Sequence, residues 1–80
     1  MGERRRAIRA QTQILATVAA GALHEPCAIT NLSDNGAKIC VRPHLRLSGT
    51  VLLRAPEIGL HKTGWVVWQR DGEAGLRFGA

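Results

Sequence analysis

Turn formers interrupt this chain before any apolar run can grow long, and that punctuation limits its fold more than any other feature. Ser33-Asp34-Asn35-Gly36 consists entirely of residues that favour turns, and Asp71-Gly72 is a preferred two-residue hairpin loop. Between such breaks lie short runs at 12–20, 26–32, 37–42, 50–55, 61–69 and 74–79, the fourth ending at Pro56. In the first, Ile14, Ala16 and Val18 alternate against Leu15, Thr17 and Ala19, the period of two that belongs to strands. The expectation is an all-β domain. Five or six short antiparallel strands, each with one apolar face, bury those faces best by curling into a small barrel.

Pairing arithmetic from the two turns assigns faces. With Leu32 opposite Ala37, one face holds Ala28, Thr30, Leu32, Ala37, Ile39 and Val41, which is expected to be core. The other holds Cys27, Ile29, Asn31, Lys38, Cys40 and Arg42, placing two cations beside Asn31. In the last hairpin Arg70 faces Glu73, Trp65 is expected opposite Phe78 and Val67 opposite Leu76 in the core. Trp68 lies over Gly75 on the outer face, diagonal to Arg77.

At 80 residues the chain is one small domain. Aromatic residues are 4% of it, so the core is aliphatic and thin, and rings for stacking are scarce. Eleven Lys and Arg against six Asp and Glu leave a charge of +5, which favours an anionic partner. Most of that excess is local: residues 1–9 carry four arginines and one glutamate. Cys27 and Cys40 are too few for a disulfide scaffold and form no CxxC pair, so a reducing, cytoplasmic setting is expected. They fall diagonally on one inferred face, an unconvincing geometry for a bridge. The apolar stretch Ile14 to Leu23 has ten residues, half the roughly 20 of a membrane helix. Arginines ahead of it imitate a signal peptide, but Gln11, Thr12 and Gln13 break the join, and the stretch reads better as a strand. His24, His44 and His61 are scattered without metal-ligand spacing, and no nucleophile, base or carboxylate pair suggests catalysis. Neither enzyme chemistry, nor a cofactor, nor a metal is expected.

Two segments point to function. Arg4, Arg5, Arg6 and Arg9 precede the first strand, and the choice of arginine throughout suits bidentate grip on phosphate or guanine and stacking on a purine. Asn31-Leu32-Ser33-Asp34-Asn35-Gly36 sets Asn31 and Ser33 as hydrogen-bonding groups, with Gly36 allowing a positive φ or close approach of a ligand to backbone. Together, Arg5-x-x-x-Arg9 and Asn31-x-Ser33-x-x-Gly36, followed by the Gly64-Trp65-Val66-Val67-Trp68 strand and Gly75-Leu76-Arg77-Phe78, resemble the RxxxR and [D/N]xSxxG signature of the PilZ domain. PilZ domains are bacterial receptor modules for the second messenger cyclic di-GMP, and the likeness covers almost the whole chain.

The resemblance implies a six-stranded antiparallel β-barrel over 12–79 within a single domain of 1–80, with 1–11 as a flexible Arg-rich loop wrapping over ligand. It implies that Arg5 and Arg9 grip phosphates and guanines and that Asn31, Ser33 and Gly36 line the site, flanked by Arg4, Arg6 and Lys38. A basic residue ahead of the first motif, as Arg4 is, goes in this family with a stacked ligand dimer. The C-terminal helix of many relatives is not expected, because the sequence stops at Ala80 after the last strand. The expected function is a cyclic di-GMP receptor that changes conformation on binding and signals to a downstream protein, for example in motility or biofilm control. The alternative is a small basic barrel binding RNA or single-stranded DNA, disfavoured by scarce stacking rings. A PilZ-like interaction module without ligand is a third reading, opposed by the intact motif residues.

Overall fold

The structure, a computed structural model, describes residues 13–79. These residues form six antiparallel strands: β1 (Ile14–Ala20), β2 (Leu23–Leu32), β3 (Gly36–Cys40), β4 (Thr50–Ala55), β5 (Leu60–Arg70) and β6 (Glu73–Phe78). Their order around the closed barrel is β1-β2-β3-β6-β5-β4, with β4 returning to β1 through Thr17 with Arg54, Val18 with Leu53 and Ala19 with Leu52. Closure leaves no long free sheet edge, which explains how so small an all-β unit avoids edge pairing. The all-β barrel expected from the turn spacing is therefore present, and β4 has the expected limits. Among the described residues no helix is long and apolar enough to cross a membrane.

The β5–β6 turn follows directly from Asp71-Gly72. Both residues take a positive φ, 49° and 80°, as a tight hairpin whose turn matches strand twist requires. The core is aliphatic as expected, with Val18, Ile29, Ile39, Val51 and Leu53 as its largest fully buried side chains. Phe78 is the one aromatic ring packed with them. Burying each such side chain contributes about 1.5–3 kcal/mol.

The face assignments need correction, and the physical reason is the same in both hairpins. Close to the turns the expected pairs hold: Leu32 with Ala37 and Asn31 with Lys38 in one, Arg70 with Glu73 and Trp68 with Gly75 in the other. Farther from the turns each hairpin contains a one-residue β-bulge, at Thr30 in β2 and at Val67 in β5. An extra residue on one strand reverses the alternation beyond it. Ile29 and Cys27, expected outside, are therefore core, whereas Ala28 and Thr30 are half-buried; Leu32, expected in the core, keeps its partner Ala37 but is exposed at the end of β2. Trp65 does not face Phe78. It sits opposite Arg77 and is 42% exposed, while Gly64 faces Phe78 and Val66 replaces Val67 opposite Leu76.

The same reversal separates the cysteines. Cys27 lies on the core face and Cys40 opposite Ala28 on the other, and both thiols are free. Burial pushes the Cys27 thiol up to about 11, with the neighbouring Cys40 adding to the rise. Cys27 therefore behaves as a small apolar core residue.

Candidate functional site

Strands β3 and β6 pair in unbroken register and lie side by side at the floor of an open groove of about 400 Å³ on the outside of the barrel. Neighbouring strands supply the walls, and each wall contains a bulge. On the β2 side the bulged Thr30 donates its Oγ1 hydroxyl to the Lys38 carbonyl at 3.2 Å. This bond ties the bulge to β3 next to Asn31, which points outward beside Lys38 as its pairing from the turn requires. On the β5 side the bulge leaves Val67 and Trp68 both facing out, 58% and 38% exposed. Gln69, opposite in direction to Trp68, reaches the loop between β3 and β4, where its Oε1 accepts from Leu47 N–H at 2.8 Å and its Nε2 donates to the Leu45 carbonyl.

Asn31, Ser33, Gly36 and Lys38, all singled out from the sequence, line this one groove. Ser33 holds the turn as well: its N–H donates to the Gly36 carbonyl at 2.9 Å, and its Oγ accepts from Asn35 N–H at 3.3 Å. Gly36 is required for a different reason from a positive φ, which it does not have. A Cβ there would collide with the Leu76 carbonyl of β6, so the glycine allows β3 and β6 to approach where the floor begins. Arg4, Arg5, Arg6 and Arg9 lie outside the described residues.

One expected cation drops out and another enters. Arg42, placed beside Asn31 by the unbulged pairing, instead donates two hydrogen bonds to Glu25, Nε to Oε1 at 3.0 Å and a terminal nitrogen to Oε2 at 2.7 Å. Its charge is thus matched, and it does not line the groove. Arg77 does line it, together with Trp68, Val67 and Gly75. Alternation around Gly75 already set Trp68 and Arg77 outside, but without the second bulge nothing indicated that they meet Asn31 and Lys38 across one depression.

Among the described residues the groove lining therefore combines two cations, Lys38 and Arg77, with amide and hydroxyl groups from Asn31, Ser33 and Asn35, and includes no carboxylate. An indole adds an apolar wall. Such a lining attracts an anion and offers hydrogen bonds and a flat surface to a planar base. Its volume lies within the roughly 300–1,000 Å³ typical of small-ligand sites.

Comparison with known proteins agrees with this architecture. No curated protein and no solved structure matches the chain. The family model for the PilZ domain matches residues 3–80, nearly the entire length, and both signature segments fall within the match. With the closed six-stranded barrel and the motif residues Asn31, Ser33 and Gly36 on one outer groove, the chain belongs to the PilZ domain family, whose members are cyclic di-GMP receptor modules rather than enzymes.

Proposed function

We propose that this chain binds cyclic di-GMP in the groove between β2, β3, β6 and β5, and that ligand draws the arginines of residues 4–9 into a surface read by a partner protein. The observation that carries the reading is the convergence of Asn31, Ser33, Gly36 and Lys38 with Arg77 and Trp68 around one groove that has no carboxylate among its described residues. In this reading Lys38 and Arg77 meet phosphate charge, Asn31 and Ser33 hydrogen-bond phosphate or base edge, and Trp68 offers its ring to a guanine. Arg5 and Arg9 close over the ligand from the other side, each able to grip phosphate bidentately.

Calorimetric titration with cyclic di-GMP tests this. Arg5→Ala, Arg9→Ala and Asn31→Ala should each weaken binding about tenfold to a hundredfold, the loss of one or two charge-assisted hydrogen bonds. Arg42→Ala, whose partner is Glu25, should leave binding unchanged. An absence of heat with the unmodified protein, or affinity undiminished in Arg5→Ala and Arg9→Ala, sinks the proposal.

A second reading, binding of single-stranded RNA or DNA, gains from one observation: Trp65 and Trp68 are both on the outer surface, so stacking rings are less scarce than the sequence suggested. Salt-sensitive binding to a generic oligonucleotide that cyclic di-GMP fails to displace would select it over the first.

A further inference from the structure

We propose that Arg70 and Gly75 are positioning residues for Trp68, holding its indole as a fixed wall of the groove against which a purine of the ligand rests; the ligand part of this rests on the cyclic di-GMP reading above. Trp68 lies directly across from Gly75 in the β5–β6 ladder. The indole occupies the space where a side chain on Gly75 would begin: a Cβ there would fall 2.6 Å from Cε2 and 2.8 Å from Cδ1, and would collide with Nε1. The ring is thus seated on bare backbone, and no other residue type at 75 accommodates it in this position.

Arg70 supplies the second contact. Its guanidinium carbon stands 5.5 Å from the centroid of the Trp68 ring, within cation–π range. Arg70 and Glu73 are cross-strand neighbours beside the hairpin turn, yet they form no ion pair with each other. The guanidinium goes to the indole instead. Arg70 lines a separate depression with Pro43, His44 and Asp71, not the groove that Trp68 borders. Arg70 therefore contacts the indole without itself lining the groove that the ring borders. Trp68 and Arg70 both lie between the β5 bulge and the turn, so the alternation of the strand puts them on the outer face together. A ring already held in place loses less freedom when a base stacks on it, and that saving appears as affinity and as preference for the larger purine surface.

The test uses the full chain carrying Trp65→Phe, so that Trp68 is the one emitting indole. In ligand-free protein, Arg70→Ala should increase acrylamide quenching of Trp68 at least twofold, and Gly75→Ala should shift its emission. Titrated with cyclic di-GMP, Arg70→Ala should bind threefold to tenfold more weakly, and its preference for cyclic di-GMP over cyclic di-UMP should shrink by a similar factor. A residue that only supported the fold would weaken both ligands equally. Unchanged quenching, or an unchanged purine preference in a protein that binds, overturns the proposal, as would equal losses for the two ligands. No binding by the unmodified chain overturns the parent reading instead. The quenching measurement then still decides whether Arg70 holds the ring. Should Gly75→Ala fail to fold, Arg70→Ala, an exposed surface change, carries the test alone.

Discussion

The two sides of this barrel obey different rules. On the β1/β4 side, β1 pairs with β2 over seven residue pairs and β4 with β5 over six, both without a register break. On the β3/β6 side, both flanking pairs are broken once, at Thr30 and at Val67, while β3 and β6 between them remain regular. The regular side builds a closed container. The bulged side uses the same kind of strands but departs from alternation where outward side chains must meet over a shared floor. In a small barrel whose interior is filled by aliphatic side chains, a register break is an economical way to gather polar and aromatic groups on the outer surface while the core stays apolar.

That contrast can be broken most forcefully through stability. Leu53→Ala in β4 removes a fully buried side chain and should cost about 2–5 kcal/mol, a large share of what a domain of this size possesses. Asn31→Ala on the groove should stay within about 0.5 kcal/mol. Urea midpoints of the two variants check this. Comparable losses would mean that the groove supports the fold and that the division between container and site is false.

A smaller effect is expected at the bulge itself. Thr30→Val keeps the branched shape but deletes the hydroxyl that donates to the Lys38 carbonyl, which should cost about 0.5–1.5 kcal/mol. Because the bond fixes the bulge next to Asn31, cyclic di-GMP affinity should fall as well. Loss of stability with affinity intact would show that Asn31 is held by its turn-proximal pairing alone.

The smallest effect comes with pH, from the core beneath β2. The Cys27 thiol holds its proton more tightly in the folded chain than the ordinary 9.0, up to about 11, chiefly because it is buried. The folded state is therefore favoured fully below about 9 and loses that advantage as pH climbs through about 11. Denaturation midpoints of the unmodified chain should decline over this window more steeply than those of Cys27→Ala. Parallel declines would mean that Cys27 does not titrate as a buried core residue.

Legibility in the sequence followed the same division. Turns made of Asn, Asp, Ser and Gly marked both hairpins correctly, and the pairs nearest them, Leu32 with Ala37 and Arg70 with Glu73, were right because a turn sets register locally. Apart from Leu32, exposed at the end of β2, the face assignments fail from each bulge outward. Ile29 and Cys27 were placed outside and Trp65 inside because alternation carries no warning of an inserted residue. Among the groove residues, Asn31, Ser33, Gly36 and Lys38 are readable from the motif and the turn-proximal pairing. Arg77 and Trp68 were readable only as outward-facing. Arg42 was misread for want of its partner Glu25, 17 positions away in sequence.

The sequence by itself determined the all-β class, the hairpin turns at 33–36 and 71–72, the aliphatic core and the paired motifs, because these rest on local propensity and on spacing along the chain. Tertiary structure alone decided that the outward residues meet in one groove, and that Val67 joins them while Arg42 does not. A bulge is settled by the competition between core packing and ladder hydrogen bonds across strands, and neither Thr30 nor Val67 differs from an ordinary strand residue until the barrel closes around it.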